Sequence, residues 1–231
     1  EGDEMKIFAG NSERVRIDAS GNVGIGKTSP SANLHIQDGS GNAEIKLQGG
    51  ASTANDVIAF LNSAGSTRGN ITYDTDNDFV LFNVNTLERM RIDSSGRLLI
   101  NKTTNRDKYF NGTYTGKLQV EGTDDSTRLT QLVHNSNSAS QHIFVLGKSR
   151  GGVGSYTSVA DGDFLGTISF QGADGDEMVD GARIEAQVNG TPGNDAMPTD
   201  MLFKTNTGGA SPTERMRITE NGTVQIAAAG A

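Results

Sequence analysis

The sequence predicts an all-β protein, elongated and built from repeated β-hairpin modules. Three observations carry that expectation. One phrase occurs three times, as Glu13-Arg14-Val15-Arg16-Ile17, Glu88-Arg89-Met90-Arg91-Ile92 and Glu214-Arg215-Met216-Arg217-Ile218. Each copy is followed by a polar stretch ending in glycine (Asp18 to Gly21, Asp93 to Gly96, Thr219 to Gly222) and then by two aliphatics at a spacing of two (Val23/Ile25, Leu98/Ile100, Val224/Ile226). No window shows a capped amphipathic helix, whereas turn residues recur throughout.

The phrase reads as a hairpin. Successive side chains of a strand point to opposite faces, so Met90 and Ile92 share one face and Arg89 and Arg91 the other. Asp93 to Gly96 suits the turn, because Asp bonds its own backbone and Gly accepts positive φ. Leu98 and Ile100 return on the apolar face. The copies begin at unequal intervals, which points to hairpins closing modules of different size rather than to a strict solenoid.

In chain order, residues 1–32 read as the C-terminal part of a preceding module, with a strand at Met5 to Phe8, a turn at Ala9 to Ser12 and the first hairpin. That start predicts that the chain is a piece of a longer protein. Residues 33–101 form a first full module, opening with Leu34-His35-Ile36-Gln37-Asp38-Gly39. Its further strands are expected at Ala43 to Leu47, Val57 to Leu61, Gly69 to Tyr73 and Asp78 to Phe82. Residues 102–116 are a polar connector. Residues 117–231 form a second, longer module that opens with Leu118-Gln119-Val120-Glu121-Gly122. Its strands are expected at Ile143 to Leu146, Gly166 to Phe170, Ala182 to Val188 and Met201 to Phe203, with an exposed acidic loop at Gly172 to Gly181. Ala227 to Ala231 carry no structural signal.

Composition narrows the function. Of 231 residues, 34% are hydrophobic and 30 are glycine, and aromatics are only 6% with no Trp. Such a chain has few large side chains for a deep core and is expected to bury surface between subunits. A net charge of −8 argues against a nucleic-acid partner, which needs clustered Lys and Arg. Without cysteine there are neither disulfides nor thiolate metal sites. No apolar run approaches the roughly 20 residues of a membrane span, and the acidic start lacks a signal-peptide core.

Several motifs invite a chemical reading, and each has a plainer one. Gly21-Asn22-Val23-Gly24-Ile25-Gly26-Lys27-Thr28 fits the phosphate-loop pattern. That loop works only between a strand and a helix, and here Pro30 and another strand come next. The second copy has Asn101 where the last glycine should be, so turn needs explain the glycines better. Asp74-Thr75-Asp76-Asn77-Asp78 begins like a calcium loop, but Phe79 and Asn85 stand where Gly and Glu are needed. Asp161, Asp163, Asp174, Asp176, Glu177 and Asp180 hold enough carboxylates for glycoside hydrolysis, although Asp and Gly together are also what loops use. His35, His134 and His142 have no ligand-like spacing. The paired arginines suit anionic glycans, but their place in every hairpin favours a structural role with Glu13, Glu88 and Glu214 of a neighbouring strand or subunit. No catalytic, cofactor-binding or metal-binding residue is assigned, and no cofactor is expected.

Together, the phrase Glu-Arg-Met-Arg-Ile-Asp-Ser-Ser-Gly and the run Gly21-Asn22-Val23-Gly24-Ile25-Gly26 with Thr28, Ser29 and Pro30 resemble repeats of tailed-bacteriophage tail fibre and appendage proteins. Gly166 to Phe170, Ala182 to Ala186 and Met201 to Ile218 are similar to stretches of the same proteins. The resemblance implies a homotrimer with interleaved strands, located in the virion tail, joined to other tail or baseplate proteins and mediating attachment to the host surface. It implies a structural protein rather than an enzyme, with host-surface glycan as a further partner. The alternatives are a tailspike-like glycan depolymerase or a passive lectin module on the same scaffold. Many such proteins end in a self-cleaving chaperone domain, whose catalytic serine region has no counterpart in these residues.

Overall fold

A computed structural model describes residues 3–50, 54–110, 112, 114–124 and 130–227. Among these residues every regular element is a strand. The chain divides into two compact units, residues 1–57 and 58–231. The first holds a sheet of four strands in sequence order: β1 (Met5–Ala9), β2 (Ser12–Ile17), β3 (Val23–Ile25) and β4 (Leu34–Ile36). The second holds two sheets. One runs, again in sequence order, through β5 (Asp56–Leu61, which begins at the boundary), β6 (Thr67–Asp74), β7 (Phe79–Val84), β8 (Leu87–Ile92), β9 (Leu98–Ile100) and β10 (Leu118–Val120). The other comprises β11 (Phe164–Ala173), β12 (Met178–Val188), β13 (Thr199–Thr205), β14 (Thr213–Ile218) and β15 (Val224–Ile226).

The repeated phrase forms the middle strand of the same three-stranded meander each time (β1–β2–β3, β7–β8–β9, β13–β14–β15). Its register carries a β-bulge at the first arginine. Met90 faces Phe82 and Glu88 faces Asn83, which leaves Arg89 as the extra residue. The same break falls at Arg14, between the pairs Ile7–Val15 and Phe8–Glu13, and at Arg215, between Phe203–Met216 and Lys204–Glu214. A bulge opposes two residues to one and re-aims the neighbouring side chains. The carbonyl of each bulged arginine accepts a bond from the residue just past the next strand: Gly26 at 2.8 Å, Asn101 at 2.9 Å and Ala227 at 2.9 Å.

The turns also match. Gly21, Gly96 and Gly222 take positive φ of 82, 69 and 84° and donate to the carbonyls of Asp18, Asp93 and Thr219. Asp18 Oδ1 accepts from the amides of Ser20 and Asn22, and Asp93 Oδ1 from those of Ser95 and Arg97. Thr219 does part of this with its hydroxyl, which accepts from Thr223 N.

After the first two meanders the chain leaves and returns in parallel. Leu34–Ile36 pairs with β3, and Leu118–Val120 with β9. The openers at 34 and 118 therefore complete the sheet of the hairpin before them.

Two expected strands do not form. Ala43 to Leu47 and Ile143 to Leu146 are exposed, with no ladder partner within the described residues. Alternation gives a segment its faces, but a strand exists only where an edge receives it. The acidic loop is also shorter than expected. β11 and β12 continue to a turn at 174–177, so Asp180 sits inside β12 and is buried. The stretch 102–116 holds no named strand, only an isolated bridge between Tyr109 and Tyr114. Of the last five residues only Ala227 lies within the described residues.

Candidate assembly surface

The strand registers sort every meander into rows, and one polar row crosses the middle of each sheet. These rows are Lys6–Arg16–Gly24–His35, Thr72–Leu81–Arg91–Leu99–Gln119 and Thr167–Glu185–Leu202–Arg217–Gln225. The rows on either side point to the opposite face and are almost wholly apolar. In the first sheet they are Met5–Ile17–Val23–Leu34 and Ile7–Val15–Ile25–Ile36. In the second they are Tyr73–Val80–Ile92–Leu98–Leu118 and Ile71–Phe82–Met90–Ile100–Val120. In the third they are Gly166–Ala186–Met201–Ile218–Val224 and Ile168–Ile184–Phe203–Met216–Ile226.

Burial is the reverse of what an isolated half-buried sheet requires. Thr72, Arg91, Gln119, Glu185 and Leu202 are buried, whereas Met5, Ile7, Leu34, Ile92, Leu118, Val120, Ile168, Met201 and Ile218 are exposed, Leu118 by 63%. Leu99, Val159, Val188 and Leu202 are the buried apolar residues among those described. Contiguous exposed apolar rows of this kind mark an interaction site.

The polar face is held by an ion pair that the bulge makes possible. In a regular strand, residues three apart point to opposite faces. The extra residue brings Glu13, Glu88 and Glu214 onto the face of the arginine three positions later. Arg16 Nε lies 2.7 Å from Glu13 Oε1 and its Nη2 2.9 Å from Oε2. Arg91 repeats the two-pronged contact on Glu88 at 2.6 and 2.6 Å, and Arg217 on Glu214 at 2.9 and 2.9 Å. The Arg16 hydrogen bond holds the Glu13 carboxyl below its ordinary range, and that of Arg217 does the same for Glu214.

Each arginine also meets the residue just before the paired register of the preceding strand. That residue is Glu4 (3.4 Å), Phe79 (ring centre 4.3 Å from the guanidinium carbon) or Asp200 (2.6 Å). Asp200 is fully buried at 0% exposure and also accepts from Asn189 Nδ2 and Glu220 N. Burial pushes its carboxyl up, and bonds from Asn189, Glu220 and Arg217 outweigh that, so it titrates below its ordinary value. Asp180 behaves alike. Burial raises it, and Arg183, Ser169 and Gln171 bring it down. Arg183 continues to Glu185 at 3.2 Å, and Lys204 Nζ reaches Glu185 Oε2 at 2.6 Å.

The residues singled out for chemistry take structural places. Gly26 and Asn101 both adopt the left-handed conformation, at φ 66 and 59°, as the chain leaves its third strand. Asn is the side chain that tolerates that region best, which explains why the last glycine of the phosphate-loop pattern alternates with it. No helix comes after it, so no helix N-terminus meets that segment. Asp74 Oδ1 accepts the amides of Asp76 and Asn77 and closes a turn. Asp161 accepts from Gly190 N, and Asp163 binds Lys148, Arg150 and Ala160 N. Asp174 caps the amides of Asp176 and Glu177, and Asp176 pairs with Lys108. His35 lies in the polar row with its Nδ1 3.3 Å from Ser31, and His134 and His142 are exposed and outside any strand. Among the described residues no three His, Asp or Glu side chains converge as metal ligands.

A cleft of about 560 Å³ lies between residues 102–108 with Glu121 and the turn 173–178. Its cations are engaged: Lys102 and Arg106 bind Glu121 at 2.5 and 3.0 Å, and Lys108 binds Asp176 at 2.8 Å. Sequence reasoning missed the functional weight of Asp200 and Phe79. Their signal lies in the register, since Glu4, Phe79 and Asp200 stand twelve, twelve and seventeen residues before the arginine each meets.

No protein-family model matches the sequence, and no curated protein matches it. Solved structures do. The carboxy-terminal domain of the bacteriophage T5 L-shaped tail fibre aligns with a TM-score of 0.61 at 13% identity, covering 84% of this chain and 90% of that one. The same domain with its intra-molecular chaperone domain aligns with a TM-score of 0.64 at 14% identity, covering 84% of this chain and 62% of that one. At such identities the likeness is one of fold, and the chain is folded as a phage tail fibre domain is.

Proposed function

We propose that this protein is a structural segment of a homotrimeric phage tail fibre or appendage, located in the virion and linking it to the host cell surface. The observation that carries the reading is that Thr72, Arg91, Gln119 and Glu185 of the polar rows are buried in the second and third sheets, while aliphatics such as Met5, Ile7, Leu34, Ile92, Leu118, Ile168 and Ile218 stand exposed on the apolar faces of all three. A sheet so built is complete only when another copy covers its apolar face. The fold likeness to a tail fibre domain supports the virion setting, and the resemblance to tail fibre repeats supplies the number three. The engagement of the acidic residues in turns and ion pairs supports a structural rather than an enzymatic role.

Light scattering with small-angle scattering tests it. The expected particle has three times the mass of the 24.3 kDa chain. A monodisperse single chain would overturn the reading. Release of new sugar ends from a host polysaccharide by the purified protein would replace it with the depolymerase.

A further inference from the structure

Two described asparagines are followed by glycine, Asn189 and Asn221, and the fold gives them opposite electrostatic surroundings. An asparagine in this position has a nucleophile beside it. The backbone nitrogen of the next residue can attack its side-chain Cγ, and glycine leaves that nitrogen unshielded. Attack puts negative charge on Oδ1, so donors at that oxygen favour the step and nearby carboxylates oppose it.

Asn221 stands in the exposed turn between β14 and β15. Its Oδ1 accepts from the Thr219 hydroxyl at 2.7 Å, the Thr223 hydroxyl at 2.8 Å and the Thr223 amide at 3.2 Å, the amide being shared with Thr219 Oγ1. A backbone amide can only donate, so it is the oxygen of the carboxamide that faces this group. No atom beyond the chain neighbours lies within 4 Å of where a Gly222 Cβ would stand, so the approach is open. The Gly222 amide rests on the neutral Thr219 carbonyl at 2.8 Å. Asn189 has the reverse setting. Its Nδ2 donates to both oxygens of Asp200, at 3.1 and 3.2 Å, and to Glu220 at 3.0 Å. The Gly190 amide donates to the Asp161 carboxylate at 2.8 Å. These carboxylates oppose both loss of the Gly190 proton and negative charge on the Asn189 oxygen.

We propose that Asn221 is a self-modification site, which deamidates through attack of Gly222 N on its Cγ, while Asn189 is held unreactive. The Gly222 amide proton passes to water, the N–Cγ bond forms, and the tetrahedral oxygen takes its charge among the three donors. The Cγ–Nδ2 bond then breaks, and the nitrogen, protonated by water, leaves as ammonia. The product is a five-membered succinimide. Water adds to either of its carbonyls and opens the ring to aspartate or isoaspartate. The balance is one water in and one ammonia out, with no change of oxidation state. Both products place a carboxylate at 221, and the isoaspartyl form also adds a carbon to the backbone of the turn that sets the β14–β15 register. The third hairpin alone carries this device, since Ser20 and Ser95 precede the glycines of the other two turns.

The test is incubation of the intact folded protein at mildly alkaline pH, followed by peptide mapping that separates asparagine, aspartate and isoaspartate. Conversion at Asn221 is expected to exceed that at Asn189 by about tenfold or more, and the two rates should converge in denaturant, where donors and carboxylates are dispersed. Thr219→Val and Thr223→Val should each slow the Asn221 reaction by about threefold or more, a smaller effect than in an enclosed site because the turn is wet. Circular dichroism checks that both variants keep their sheets. Equal rates at Asn189 and Asn221 in the folded protein would overturn the proposal. So would no conversion at Asn221 over a period in which the denatured chain converts, or folded threonine variants that both react at the wild-type rate. Aspartate formed without isoaspartate would overturn it too, because that product pattern means direct hydrolysis by water rather than attack by Gly222.

Discussion

Arg217 lies 2.6 Å from Asp200, a carboxylate with no solvent exposure, and grips Glu214 of its own strand with its other nitrogens. Removing the arginine leaves Asp200 buried beside only amide donors. Breaking a buried pair from one side is costly because the remaining charge is uncompensated. Arg217→Met is therefore expected to lower unfolding free energy by about 2–3 kcal/mol, the lower end for such pairs because Arg217 is partly exposed. The double variant with Asp200→Leu should recover part of the loss. Denaturant titration of the three proteins measures it, and an Arg217→Met protein as stable as wild type would contradict it.

The two arginines of each phrase look alike in the sequence and differ in the structure. Arg89 is the exposed bulge residue, and Arg91 is buried between Glu88 and the ring of Phe79. Arg89→Ala is expected to stay within about 0.5 kcal/mol of wild type, as surface substitutions do. Arg91→Ala should cost about 2–4 kcal/mol, from lost packing on the ring and an orphaned Glu88. Equal melting temperatures for the two variants would show that the bulge does not separate their roles.

The difference between these arginines also marks what the sequence can and cannot disclose. Alternation at Met90, Ile92, Leu98 and Ile100 fixes which side chains share a face, and the turn glycines fix where the chain reverses. Both signals are local, and both are legible. A bulge has no residue signature here, because Arg89 and Arg91 are the same residue type. Alternation alone accordingly places the partner of Glu88 on another strand or subunit, and it lies three residues away. Ile143 to Leu146 is as apolar as a buried strand, yet among the described residues no edge receives it. The exposure of the apolar rows becomes visible only with the register, since a period of two gives a face and not which side is covered.

Gly26 and Asn101 offer a test of the turn explanation for the phosphate-loop pattern. Both take left-handed φ, and a Cβ on Gly26 would collide with the Gln37 carbonyl oxygen. Gly26→Ala should destabilise the first sheet by more than the roughly 1 kcal/mol of left-handed strain alone. Asn101→Gly should change stability by only a few tenths of a kcal/mol beyond the lost bond from Asn101 Nδ2 to Glu121 O at 2.9 Å. Neither variant should alter nucleotide binding, because none is expected in wild type. Saturable ATP binding abolished by Gly26→Ala would refute the explanation.

Acid should loosen the third sheet. The carboxyls of Asp180, Asp200 and Glu214 titrate below their ordinary values of 3.8, 3.8 and 4.5. A group depressed in the folded state contributes stability that is whole above its unfolded value and is lost as pH falls through its folded one. The melting temperature should be level from neutral pH down to about 5 and then fall steadily below about 4. Asp200→Asn should flatten that fall while lowering stability at pH 7. A melting temperature that rises between pH 5 and 3 would contradict the assignment of these pairs as stabilising.

Ile92 and Ile218 occupy the same position in the second and third meanders, each exposed on an apolar row and each facing away from the arginine row. A lysine at either position stays in water in a single chain, at little cost to its own folding. In an assembly the same lysine is carried into an apolar contact, where an unpaired charge costs several kcal/mol per copy. Ile92→Lys and Ile218→Lys should therefore lower the particle mass toward that of one chain while leaving β-sheet circular dichroism in place. Lys6→Arg, in the polar row of the first sheet, should leave the mass unchanged. The comparison separates loss of assembly from loss of folding. If both isoleucine variants keep the wild-type mass, the exposed apolar rows are not where the chains meet.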